Sequence, residues 1–225
     1  MVDMKIPGVL LLAFIGSISY SQNGDQTTIN FLNEIYKMEV KSKMSPDSYG
    51  GSPYLPKDFE EGKLISNGRE APGFIRYNVL ANQIELKVNQ EDSTIITLPS
   101  NQFNSFVIDD VEYSWKNLKT EDGWKNGFFI KYYEGDDLKF YGYPELFKKE
   151  AVKSLGFVEG KPAHYRVDIK YYLSRNKSEF NSIKIKNKDF KKSLNLDGNA
   201  KVYLDDHKLK KVSDVIKFLE WYEAN

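Results

Sequence analysis

Residues 127–143, GFFIKYYEGDDLKFYGY, constrain the fold more than any other stretch. Two apolar runs of strand length flank Glu134-Gly135-Asp136-Asp137. That is hairpin chemistry: glycine is expected to supply a positive φ, and the aspartates to bond their own backbone. With side chains alternating, Phe128, Ile130 and Tyr132 share one face and Phe129 and Tyr133 the other. On the return strand Leu138 and Phe140 oppose Tyr141 and Tyr143. A hairpin apolar on both sides lies at the centre of a sheet that is covered twice, or carries a ligand on one face.

The same period of two extends outward. Ile84, Leu86 and Val88 alternate with Gln83, Glu85 and Lys87. Short strands are expected near 94–98, 103–108 and 111–116, the last two joined by a turn at Asp109-Asp110. A second pair runs over 163–173 and 178–186, with Tyr165, Val167, Ile169, Tyr171 and Leu173 on one face and Arg166, Asp168 and Lys170 on the other. Residues 26–44 read as a helix from the spacing of Ile29, Leu32, Ile35 and Tyr36, with Thr28 as its cap; a strand over 36–40 competes. Residues 45–73 hold Pro46, Pro53, Pro56, Pro72 and five glycines, which predicts loop or irregular strand. At the C-terminus Asn187 is expected to cap a short helix with Phe190 and Leu194, and 199–207 to form another. Ser213 is expected to cap a last helix burying Val215, Phe218, Leu219 and Tyr222, with Asp214 in its first turn. The expected class is α+β: an antiparallel β-meander, as a curved sheet or small sandwich, with an irregular N-terminal arm and C-terminal helices packed on it. One domain over 22–225 is expected, mainly β over 74–186 and mainly helical over 187–225.

Met1 to Ser21 read as a secretory signal peptide: Lys5, an apolar run from Val9 to Ile18, then Ser19 and Ser21, with cleavage before Gln22. A membrane anchor is the alternative, but that run is about half the length of a spanning helix. The chain has no cysteine, which removes disulfides, thiol nucleophiles, cysteine-ligated zinc and a lipoprotein anchor. Its 32 basic and 32 acidic residues balance, so neither nucleic acid nor an anionic membrane is an expected partner. The expected location is periplasmic or secreted.

Chemistry-bearing motifs are few. His164 and His207 lack the i, i+4 spacing of a helical zinc site, and no Gly-x-Ser-x-Gly elbow exists. Both read as surface histidines. The acid pairs Glu60-Glu61, Asp109-Asp110, Asp136-Asp137 and Asp205-Asp206 consist of neighbours, whereas a glycosidase needs two carboxylates facing each other across a sugar. Turns and solvated surface are their expected roles. A calcium loop aligned on Gly198 fails at its twelfth position, which is Leu204. Lys184, Lys186, Lys188, Lys191 and Lys192 read as a solvated edge that discourages sheet-to-sheet pairing. Asn176-Lys177-Ser178 matches a glycosylation acceptor, weak evidence by itself. No cofactor or metal is expected.

The one functional lead is aromatic. The chain holds 15 Tyr, 14 Phe and 3 Trp. Trp115, Trp124, Tyr133, Tyr141 and Tyr143 crowd the central hairpins and are the candidate binding surface, since rings on an exposed sheet stack on sugars or contact a partner protein. In the alternative, the C-terminal helices cover that face with Phe218 and Trp221.

Gly51-Ser52-Pro53-Tyr54-Leu55, Phe59-x-x-Gly62, Arg76-Tyr77-Asn78 and Ile84-Glu85 resemble a family of uncharacterised secreted and periplasmic proteins of Bacteroidota. The likeness runs on through 127–143 and Lys188-Asp189-Phe190 to the final helix, and the leader ending Ser-Tyr-Ser-Gln is similar to leaders in that group. The resemblance implies an extracytoplasmic location and brings no catalytic residues. The expected function is non-enzymatic binding of an envelope protein or glycan, or a structural role in the envelope. A glycan or peptidoglycan hydrolase with separated carboxylates is the alternative. An eight-stranded outer-membrane barrel is a third reading, disfavoured by lysines in the strands and by the helical C-terminus.

Overall fold

The computed structural model describes residues 23–37, 50–99, 105–152, 162–176 and 179–225. Among these, eleven strands form one large, mostly antiparallel sheet accompanied by four helices. β2 (Tyr54–Ser66), β3 (Arg69–Asn78), β4 (Gln83–Lys87) and β5 (Ile96–Pro99) make one meander. β6 (Ser105–Ile108), β7 (Val111–Thr120), β8 (Gly123–Glu134), β9 (Leu138–Lys149) and β10 (His164–Arg175) make a second. The meanders join where β6 pairs with β2. Along the free side of β10, β1 (Gly50–Gly51) pairs in parallel and β11 (Asn181–Ile183) antiparallel.

Local chemistry explains the turns. Asp109 and Asp110 both have positive φ, the requirement of a tight two-residue hairpin, as their sequence implied. Asn67-Gly68 does the same between β2 and β3, with φ of 52° and 73°. Residues 45–49 lie outside the described residues; of the two expectations for 45–73, irregular strand is what residues 50–73 largely form. Their prolines misled: Pro72 lies beyond the last β3–β4 pair, Phe74 with Lys87, so no ladder partner is lost on that side. Pro56 sits in the irregular stretch of β2 between Leu55 and Glu60. The turn at 134–137 is where expected, but Gly135 is not among the residues with positive φ. Its missing side chain leaves room for Glu223, whose Oε2 would lie 1.7 Å from a Cβ there.

The sheet is strongly curled. β3 and β8 lie four strand spacings apart, about 19 Å on a flat sheet, yet the rings of Tyr77 and Phe128 meet at 5.3 Å. Only Ser52 and Pro53 separate β1, on the β10 edge, from β2 in the middle of the strand order. The Cα atoms of Gly51 and Tyr54 can therefore be no more than about 11 Å apart. That link fastens the β10 edge to β2.

One face of the sheet, here the front, carries two apolar clusters. The first packs Phe31 and Ile35 of α1 (Asn23–Lys37) on Ile75, Tyr77, Ile84, Leu86, Phe106 and Phe128. Arg69 fixes this helix through paired bonds of 2.9 and 2.6 Å to Glu34. Thr28 lies inside α1 and does not cap it; the competing strand over 36–40 yields to helix through Lys37, and its other residues lie outside those described. The second cluster sets Leu138, Phe140 and Leu173 against Phe190 of α2 (Asn187–Ser193), Leu204 of α3 (Gly198–Asp206) and Val215, Phe218 and Leu219 of α4 (Val212–Ala224).

The expected helix caps are displaced. Lys186 and Lys211 hold the N-cap positions of α2 and α4. Asn187 instead ties the helices together, donating to the carbonyls of Leu204 and His207 and accepting from the Leu209 N–H at 2.8 Å. Asp214 accepts from the N–H groups of Lys210 and Lys211, at 2.9 and 3.1 Å.

Candidate functional site

The five aromatic residues singled out from sequence do not form one surface. Trp115 packs edge-on against Phe128 on the front face. Tyr133 joins the helix-covered cluster and donates its hydroxyl to Glu223 at 2.5 Å; burial and that carboxylate push its pKa upward. Tyr141 is 2 % exposed and stacks on Phe180 on the back face. Tyr143 lies half-buried over Phe129. Trp124 alone is open, at 65 % exposure.

The C-terminal helices do not cover the Tyr141 face. The far end of the β7–β8 hairpin curls over it, laying Leu118 on a small core of Phe129, Tyr141, Tyr172 and Phe180. Main-chain bonds clasp this flap: Phe180 N–H to the Lys119 carbonyl at 2.9 Å and Glu121 N–H to the Phe180 carbonyl at 3.2 Å. Ion pairs add to it, Lys170 to Asp122 at 2.9 Å and Lys125 to Glu145 at 3.1 Å. Hydrogen bonding to Asp122 pushes the Lys170 ammonium up to about 12. Trp124 rides on the flap.

On the back of β3 and β4, Arg76 and Glu85 meet, whereas Tyr77 and Ile84 beside them turn into the front core. Arg76 sits between the rings of Tyr54 and Phe59, at 3.8 and 4.2 Å. Its guanidinium bonds Glu85 at 2.6 and 2.8 Å, and Glu85 is 3 % exposed. Asn78 accepts from the Ala81 N–H, and Tyr77 donates to Asn82 at 2.6 Å. These contacts satisfy one another and hold the fold.

His164 and His207 are both exposed; the first lies against Gly50 and Gly51, the second stacks on Tyr203. The four neighbouring acid pairs lie exposed on β2, in two turns and at the end of α3. Gly198, the pivot of the calcium-loop alignment, opens α3. Of the lysine cluster, Lys191 pairs with Asp205. Among the described residues no cluster of His, Asp and Glu is arranged to hold a metal.

One concave surface has unused binding capacity. A groove of about 600 Å³ runs along the β10 edge, lined by Asp168, Ile169, Lys170, Tyr171, Ser182, Ile183, Lys184 and Ile185, and reaching Glu145 and Phe147 on β9 and Asp189 on α2. Phe147 is 47 % exposed, with the Arg166 guanidinium 5.4 Å over its ring. β11 stops pairing at Ile183, because the Lys186 N–H turns back to the Lys184 carbonyl at 2.7 Å and leads into α2. β1 stops at Gly51, opposite Tyr165. Between them Arg166 to Lys170 has β9 on one side and, among the described residues, no strand on the other.

The strand alternation identifies the open groups. The Gly50 N–H bonds the Ala163 carbonyl at 2.8 Å, so odd-numbered residues of β10 aim their main chain away from β9. The N–H and C=O groups of Val167 and Ile169 therefore point away from β9, and Ile169 lines the groove. Sequence reasoning placed Val167 and Ile169 on the apolar face, but the open edge depends on where β1 and β11 end, which no local pattern encodes.

No family model matches this chain, and no curated protein and no solved structure is found to be similar to it.

Proposed function

We propose that this is a non-catalytic binding protein of the extracytoplasmic space, one α+β domain over 22–225 in its mature form, with the groove along β10 as its contact site. One observation carries this reading: the outward main-chain groups of Val167 and Ile169 have no strand partner among the described residues, beside a groove lined by Ile169 and the exposed Phe147. The apolar run ending at Ile18 and the small residues before Gln22 support export. The resemblance to secreted proteins of Bacteroidota supports the same location.

The competing hydrolase reading needs a carboxylic acid that keeps its proton near neutral pH. Glu34, Asp122, Glu134, Asp214 and Glu223 are all held below the ordinary carboxylate range by ion pairs or N–H groups. None of these five supplies that acid.

The test is an amide NMR titration of the chain from Gln22 onward with peptides and with peptidoglycan fragments. Shifts centred on Val167, Ile169 and Phe147 without turnover are expected; release of cleaved glycan overturns the reading. Mass spectrometry of the exported protein is expected to find Gln22 at its N-terminus.

A further inference from the structure

Resting on that reading, we infer that the groove takes a single extended peptide segment of a partner protein, which adds as a strand to β10 between β1 and β11. The gap from Arg166 to Lys170 is about 17 Å of strand, enough for one short segment. β1 and β11 already occupy the next-strand position at its two ends. The edge is thus recessed, and the sheet edge of a second copy meets those two strands before it meets Val167. A lone extended chain fits between them.

The walls specify the segment. On the front side the groove presents Ile169, Tyr171, Ile183 and Ile185, which continue the apolar clusters. On the back side it presents Asp168, Lys170, Ser182 and Lys184, with Glu145 and Phe147 of β9 behind them. A peptide alternating apolar and polar residues satisfies both walls, as in strand addition generally. Arg166 is paired with Asp168 and Lys170 with Asp122, and Lys184 and Asp189 both line the groove, neither with an ion-pair partner among the described residues. The main chain supplies affinity and the alternation supplies selectivity.

The probe is the capped synthetic peptide Ser-Val-Glu-Val-Glu-Val-Ser, measured by calorimetry and amide exchange on the mature chain. Binding should slow exchange at Val167 and Ile169, and a peptide of the same composition with its valines in one block should bind more weakly. N-methylation of the valine amides should weaken binding about tenfold or more if the strand is antiparallel, and methylation of the glutamate amides if it is parallel. Val167→Pro removes one outward N–H and should weaken binding to a similar degree; if that variant does not fold, the methylated peptides decide alone.

Binding that survives both methylations overturns strand addition. So does strong protection of Val167 and Ile169 before any peptide is added, which would mean that the chain's own segment, such as 153–161, already fills the edge. A concentration-dependent dimer that buries this edge overturns it as well. If peptides fail but an oligosaccharide shifts the groove amides, strand addition falls and the binding reading stands; if glycan is cleaved, both fall.

Discussion

The backbone N–H of Leu138 donates to the carboxylate of Glu223 at 2.6 Å, across 85 positions of sequence. The same carboxylate accepts from the Asp137 N–H at 2.9 Å and from the Tyr133 hydroxyl. The last turn of α4 thereby caps the central hairpin, the most strongly marked element of the sequence. A turn that looks self-sufficient on paper is completed by a residue from the far end of the chain.

Replacing Glu223 tests this directly. Glu223→Gln keeps the shape and loses the charge, and should cost about 2 kcal/mol in urea unfolding. Burial raises the Glu223 pKa, but the Tyr133 hydroxyl and the N–H groups of Leu138, Asp137 and Asp136 outweigh it and hold it low. A depressed carboxyl stabilises above its unfolded pKa, and that stability is lost as pH falls through the folded value. The gap between wild type and Glu223→Gln should therefore close on the acid side of the ordinary carboxylate range, and a gap that persists there contradicts the assignment.

Arg76 and Glu85 form a largely buried pair, so the two partners are expected to be unequal to their sum. Glu85→Gln alone leaves the guanidinium without its counterion and should cost about 3 kcal/mol. Arg76→Met with Glu85→Leu removes both charges and should recover most of that loss. Thermal unfolding of the three proteins decides; a double variant as unstable as the single one would mean that the aromatic sandwich, not the charge, is what matters.

Gly51 has φ of +79°, and a Cβ there would lie 2.0 Å from the Tyr165 carbonyl oxygen. Gly51→Ala should cost about 2 kcal/mol through strain and clash. Hydrogen exchange at Gly50 should accelerate while α4 stays protected; unchanged exchange at Gly50 would show that β1 tolerates the side chain.

The aromatic set separates by truncation. Tyr141→Ala empties a site that is 2 % exposed and should cost about 3–5 kcal/mol. Trp124→Ala removes an exposed ring from the flap and should change stability by no more than about 0.5 kcal/mol. A large loss at Trp124 would show the ring to be part of the flap's packing.

What the sequence made legible is local. The Asp109-Asp110 turn, the faces of Tyr165 to Leu173 and the apolar stripe of α4 follow from spacing alone, and all are found. β2 and β3 were obscured because their prolines sit where the ladder does not need an N–H, a fact that depends on the length of β4. Asn67-Gly68 was the signal that would have found them. The two apolar faces of 127–143 left a central position and a ligand-carrying face both open; both faces are covered, the Tyr141 side by a flap of the same hairpin and not the helices, and the bulge between Lys131 and Tyr133 turns Tyr133 to the front. The β10 groove is invisible in sequence, because it is defined by two strands that end.

The link through Ser52 and Pro53 also bears on how the molecule assembles. β1 meets β10 only after roughly half the chain has been brought back to it, and its two residues offer little in return until the second meander is standing. Gly50 and Gly51 leave the ribosome long before His164 exists, so this joint closes late in folding and, being short, opens early in unfolding. The curl itself is held by the core contact of Tyr77 with Phe128, and this short joint latches the β10 edge onto it while forming one end of the groove.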